Sequence, residues 1–167
     1  MTTAFVIREA AKADRDSIRV VEEAAFGRPD EARLVDALVG DGDDVLELVA
    51  ERDGRVIGHV LFSRLIVETP GRNFPAVALA PVAIAPAAQR QGVGAALIEE
   101  AHGRLRQASE TLSVVLGDPA YYGRFGYAHA RAAEFECEWQ GEALQALAWG
   151  DAPATGRLVY APAFLAL

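Results

Sequence analysis

The chain has 167 residues, 51% of them hydrophobic, and a formal net charge of −8. This length points to one domain with a sizeable core. The acidic balance argues against general nucleic-acid binding, which needs basic surface to neutralise phosphate, and the single cysteine, Cys137, excludes an internal disulfide and a multi-cysteine metal site.

The opening residues, MTTAFVIREAAKADRDS, lack the basic segment, apolar block and small-residue cleavage site of a secretory signal, so a cytoplasmic protein is expected. Phe5 to Arg8 reads as a short strand. Asp14 to Ala25 reads as a helix, with Ile18, Val21 and Ala25 at helical spacing and acids at its start. A turn over Gly27 to Asp30 follows, and Asp30 is expected to cap a second helix with Leu34, Val35 and Leu38 on its apolar face. Val45 to Glu51 and Val56 to Val67 read as strands joined at Asp53-Gly54, a strong hairpin signal.

Thr69 to Asn73 is a polar turn, and Ala76 to Ile84 a further strand. The apolar run from Ala76 to Ala88 contains Pro81 and Pro86 and is too short to span a membrane. A helix is predicted from Gly92 to Gln107, with Leu97, Ile98, Ala101 and Leu105 inward and His102 among charges, exposed. Leu112 to Leu116 reads as a buried strand, and Asp118-Pro119 starts a helical turn through Tyr121 and Tyr122. His129 follows the next turn without a visible partner. In the tail, Phe135 to Trp139 reads as a strand, Glu142 to Ala148 as a short helix and Gly156 to Tyr160 as a last strand. The order implies an α/β (mixed α+β) fold, a mixed sheet with helices packed on it. A single domain over 1–167 is expected, with a core at about 5–130 and a C-terminal extension at 131–167.

The most informative stretch is Gln89-Arg90-Gln91-Gly92-Val93-Gly94. Two glycines stand at the entrance to an amphipathic helix, where unpaired N–H groups and the helix dipole favour an anion. A Walker loop fails because Ala95 and Ala96 stand where Lys and Ser/Thr are needed. A dinucleotide loop fails because Leu97 replaces the third small residue, and no acid follows at the ribose distance. The stretch satisfies Gln/Arg-x-x-Gly-x-Gly/Ala in full. It sits between an apolar strand and an amphipathic helix, followed by a strand and a tyrosine-bearing turn, YYGRFGY. Here the chain resembles the GNAT superfamily of acyl-CoA-dependent N-acetyltransferases. LAPVAIAPAAQRQGVGAALI, VVLGDPAYYGRFGY and AFGRPDEARLVDAL resemble its YhbS-like branch of small bacterial enzymes. The resemblance runs from about Phe5 to Phe164 and is weakest from Glu134 to Gly156.

The resemblance implies a mostly antiparallel sheet, splayed at the acyl-CoA site and flanked by helices. It implies acetyl-CoA as co-substrate, no metal, an amine-bearing acceptor, and neither nucleic acid nor membrane as partner; homodimers are frequent in the family. The pyrophosphate is expected on the backbone amides of Arg90, Gln91, Gly92, Val93, Gly94 and Ala95, with Gln89 anchoring the loop. Val82, Ala83 and Ile84 are expected to meet the pantetheine arm as an added strand would. Pro81 marks an edge, a bulge or the end of strand pairing.

Acyl transfer to an amine needs a proton acceptor, an oxyanion donor and a proton for the leaving sulfur. By family position Tyr122 is the general acid, with Tyr121 as its competitor, and the Val82 N–H is the oxyanion donor. The strand glutamate that several members of the family carry is absent from VALAPVAIAP. A proton could instead leave through water to Glu22, Glu23, Glu31 or His59, with Glu31 or His59 as the base or relay. The rival readings are a non-catalytic acyl-CoA-binding regulatory module and a nucleotide-binding protein.

Overall fold

The computed structural model describes residues 4–166. It is built around one long antiparallel pair, β3 (Arg55–Thr69) against β4 (Arg72–Ile84). Their connection is only Pro70-Gly71, shorter than the predicted polar turn, and Gly71 takes the left-handed conformation (φ 85°) that this corner requires. Before them run β1 (Val6–Glu9), α1 (Arg15–Phe26), α2 (Asp30–Gly40) and β2 (Asp44–Arg52). β2 joins β3 through Asp53-Gly54, both at positive φ (53° and 75°), the conformation of the expected hairpin turn. Then follow α3 (Val93–Gln107), β5 (Leu112–Leu116), α4 (Pro119–Tyr122), α5 (His129–Ala132), β6 (Phe135–Glu136), β7 (Leu144–Ala148) and β8 (Gly156–Val159).

The strand order is β1-β2-β3-β4-β5-β7. The pairs are antiparallel except β4 with β5 and β6 with β8. Alternation along the strands divides the core. Leu48, Val60 and Phe62 pack with Leu97, Ile98 and Leu105 of α3. Their neighbours Val49 and Leu61 pack with Ile18, Leu34 and Leu38 of α1 and α2 on the opposite face.

The tail completes this sheet. β8 pairs with Ile66, Val67 and Glu68 of β3, beyond the part of that strand that β2 covers. β7 covers the outer edge of β5, with Leu144 opposite Leu116 and Ala146 opposite Val114. Glu142 to Ala148 is therefore not the predicted helix. Its residues are good helix formers, but an open β5 edge and the apolar bed of Leu112, Val114 and Leu65 override that propensity. The strand predicted over Phe135 to Trp139 keeps only its first two residues. Asp30 does not cap α2: Pro29 holds the cap position, and Asp30 is the first helical residue.

Candidate active site

After Ile84 the chain makes one tight turn over Pro86–Ala88 and reaches the glycine loop. Arg90 and Gly92 both have left-handed backbone, φ 63° and 80°, so the chain doubles back before α3 begins. No side chain caps α3, which leaves its first N–H groups open at an exposed loop. The loop is braced from behind. Gln89 Nε2 donates to the Ile84 carbonyl (3.2 Å), and Gln91 Nε2 donates to the Ala87 carbonyl (3.1 Å). Arg52 donates to Gln91 Oε1 at 2.7 Å, a brace that only the fold reveals. Gly94 is needed for space: a Cβ there would lie 2.8 Å from the Tyr121 hydroxyl.

Upstream of the loop, β4 and β5 part. They pair at Val77–Ser113, Ala78–Val114 and Leu79–Val115, and there the pairing stops. β4 continues along β3, with Val82 opposite Val60 and Ala83 opposite His59. Between Leu79 and Val82 the two residues Ala80 and Pro81 face the single residue Leu61, so Pro81 sits in a bulge. Bulge and end of pairing coincide, because Pro81 has no N–H to give a neighbouring strand.

A cavity of about 770 Å³ opens at this parting. Leu79 to Val82 and Val114 to Leu116 of the parted strands line it together with Tyr122 of α4. Phe26 of α1, Glu31 of α2 and Trp139 and Tyr160 of the tail line it as well. Asp118 places Tyr122 by capping α4, its Oδ1 accepting from Ala120 N at 2.9 Å. The Tyr122 ring lies over Gly117, where a Cβ would come within 2.4 Å of Cε2. Burial, helped by Tyr121, pushes the Tyr122 hydroxyl up to about 12, so it stays protonated at neutral pH. Tyr121 does not line the cavity; its ring packs edge-on against Tyr122 and Phe125, and its hydroxyl faces Gly94.

The two base candidates part company. Glu31 is in the cavity wall, its carboxylate forked to Arg28 and held below its usual range by those hydrogen bonds, against some burial. His59 is fully buried, its Nδ1 2.7 Å from Glu22 Oε2 and its Nε2 2.7 Å from Glu47 Oε2, and it does not reach the cavity. Arg15 continues the network from Glu47 toward solvent.

The other histidines correct the sequence reading. His102 is buried, not exposed: Nε2 meets the Tyr127 hydroxyl at 2.9 Å, which in turn lies 2.7 Å from Ser113 Oγ. Burial, then Arg106, lowers its pKa to about 4. His129 has a partner, Nδ1 lying 2.9 Å from the Leu144 carbonyl oxygen.

The acetyltransferase (GNAT) domain family matches residues 6–130. This chain belongs to the GNAT acetyltransferase family. The N-acetyltransferase YhbS of Escherichia coli (strain K12) is 36% identical over 138 residues, 82% of this chain and 81% of that protein. The crystal structure of E. coli YhbS in complex with CoA superposes with a TM-score of 0.90 at 33% identity, covering 99% of this chain and 94% of that one. A GNAT family acetyltransferase from Brucella melitensis in complex with acetyl-CoA gives a TM-score of 0.82 at 35% identity, over 97% and 99% of the two chains. The GNAT assignment agrees with the parted strands and the glycine loop, and among the described residues no helix is long and apolar enough to cross a membrane.

Proposed function

We infer that this GNAT protein transfers the acetyl group of acetyl-CoA directly to an amine, in the cytoplasm and without a metal. One observation carries the reading: the cavity lies where β4 leaves β5, with Tyr122 in its wall. The glycine loop that follows β4 presents the uncapped start of α3.

The backbone amides of Arg90 to Ala95 receive the pyrophosphate, where convergent N–H groups and the helix dipole favour negative charge. The backbone of Val82 to Ile84 receives the pantetheine arm. The neutral amine attacks the thioester carbonyl. The Val82 N–H stabilises the developing oxyanion, the C–S bond breaks, the Tyr122 hydroxyl protonates the leaving sulfur, and the proton that the attacking nitrogen sheds as the amide forms returns through water to Tyr122. The proton of the incoming ammonium leaves through water to Glu31, the base candidate that lines the cavity. His59, sealed between two carboxylates, organises the fold beside the site.

Calorimetric titration with acetyl-CoA, paired with CoA release followed by Ellman's reagent, tests this reading. Saturable binding and amine-dependent release are expected. Binding without turnover of any amine would instead identify an acyl-CoA-binding module.

A further inference from the structure

The part of the cavity lining that comes from α1, α2 and the tail has a definite chemistry. Its tail side is a wall of rings set edge to face: Trp139 and Tyr160 at 4.9 Å between centroids, Tyr160 and Phe164 at 5.4 Å. Phe26 and Leu34 from α1 and α2 supply more apolar surface. The only charged residues among the described lining are two acids, Glu31 and Glu138. Arg28 takes one lone pair on each Glu31 oxygen, which leaves further acceptor positions free. The Tyr160 hydroxyl is itself buried beside the Cys137 thiol, a weak partner, and the ring rather than the oxygen belongs to the wall.

We propose that the acceptor is a primary amine on an apolar, ring-sized body, entering as the ammonium. Glu31 and Glu138 attract the ammonium, and the Trp139–Tyr160–Phe164 wall packs the body and adds cation–π attraction. This proposal rests on the transferase reading and names its substrate class. Three kinds of amine are disfavoured. An amino acid brings a carboxylate toward Glu138 and toward Glu31, whose partner Arg28 is already engaged. An amino sugar brings hydroxyls to a wall with few polar partners. A polyamine lays extra ammonium groups against Leu34, Phe164 and Leu165.

The test is calorimetry on the full chain saturated with CoA, titrated with phenethylamine, phenylalanine, glucosamine and spermidine. Phenethylamine is expected to bind at least about tenfold more tightly than the other three. Glu31→Gln and Glu138→Gln should each weaken phenethylamine about tenfold and leave CoA affinity unchanged. Trp139→Ala should weaken phenethylamine more than it weakens methylamine. Equal or tighter binding of phenylalanine, glucosamine or spermidine overturns the proposal, as does the absence of saturable phenethylamine binding. Failure of CoA itself to bind would overturn the transferase reading instead, and the amine comparison on the free chain would still decide the acceptor class.

Discussion

Glu22 and His59 meet with both side chains fully buried, carboxylate oxygen Oε2 2.7 Å from ring nitrogen Nδ1. The opposite ring nitrogen faces Glu47. A neutral imidazole donates from one nitrogen only, whereas the imidazolium satisfies both carboxylates. Burial disfavours the charge on His59, but the two carboxylates outweigh it and raise the pKa. Burial likewise raises Glu22, against the pull of His59. Facing charges come from Arg15 on Glu47 and from Glu31 near Glu22. A histidine pKa raised by folding contributes stability that is complete below its unfolded value of about 6.5 and is lost as pH rises through the folded value. Thermal denaturation should therefore show stability falling on the alkaline side of neutrality. His59→Gln should remove that slope and cost about 3–5 kcal/mol at pH 6, because it leaves buried carboxylates unpaired. A wild-type stability that is flat from pH 6.5 to 9 would contradict this.

The acid limb belongs to Asp14. It accepts from both Arg8 terminal nitrogens (2.7 and 2.9 Å) and from Ala11 N (2.7 Å). The Arg8 bonds, working against burial, lower it from 3.8 to about 2. A lowered acid contributes stability above its ordinary pKa that disappears as pH falls toward about 2. Allowing for the exposure of Arg8, Asp14→Asn should cost about 1–2 kcal/mol at pH 6 and little at pH 2. Urea melts at the two pH values read the difference directly; an equal cost at both would refute the assignment.

Gly94 and Tyr121 should show reciprocal epistasis. In the native background Gly94→Ala places a Cβ 2.8 Å from the Tyr121 hydroxyl and should lower both stability and acetyl-CoA affinity. With Tyr121→Phe the oxygen is gone. The same change should then become neutral or stabilise by up to about 1 kcal/mol, the usual advantage of Ala over Gly in a helix. Additive effects in a double-mutant cycle would rule out the steric coupling.

Gly117→Ala tests the placement of Tyr122. The added Cβ falls 2.4 Å from the ring and must displace it. A drop in kcat of about tenfold or more, with acetyl-CoA affinity retained, is expected because small misplacements of a reacting group are costly. Unchanged kcat would mean that the position of the Tyr122 ring does not matter to the reaction.

Much of this is legible in the sequence. Asp53-Gly54 specified its hairpin, Pro81 marked where strand pairing ends, and the loop motif located the uncapped start of α3. The buried polar residues were harder to see. His102 lies four residues after Ile98 and three before Leu105, a helical spacing that places it on the buried face, yet its charged sequence neighbours masked the signal. Glu22 follows Ile18 by the same spacing. The segment from Glu142 to Ala148 misled for a different reason. Its composition favours a helix, and only the open edge of β5, formed by residues about thirty positions earlier, makes it a strand. The cavity lining draws on α1, α2 and the tail, so no local pattern could announce it.

Acetyl transfer at the parted strands, with Tyr122 as proton donor, is the function proposed for the cavity. Its most direct test is amine-dependent CoA release from acetyl-CoA, compared between the native chain and Tyr122→Phe at saturating donor. Turnover by the native chain is predicted, with kcat falling about 10²–10⁴-fold in the variant while acetyl-CoA still binds. Equal turnover by the two proteins would contradict the account.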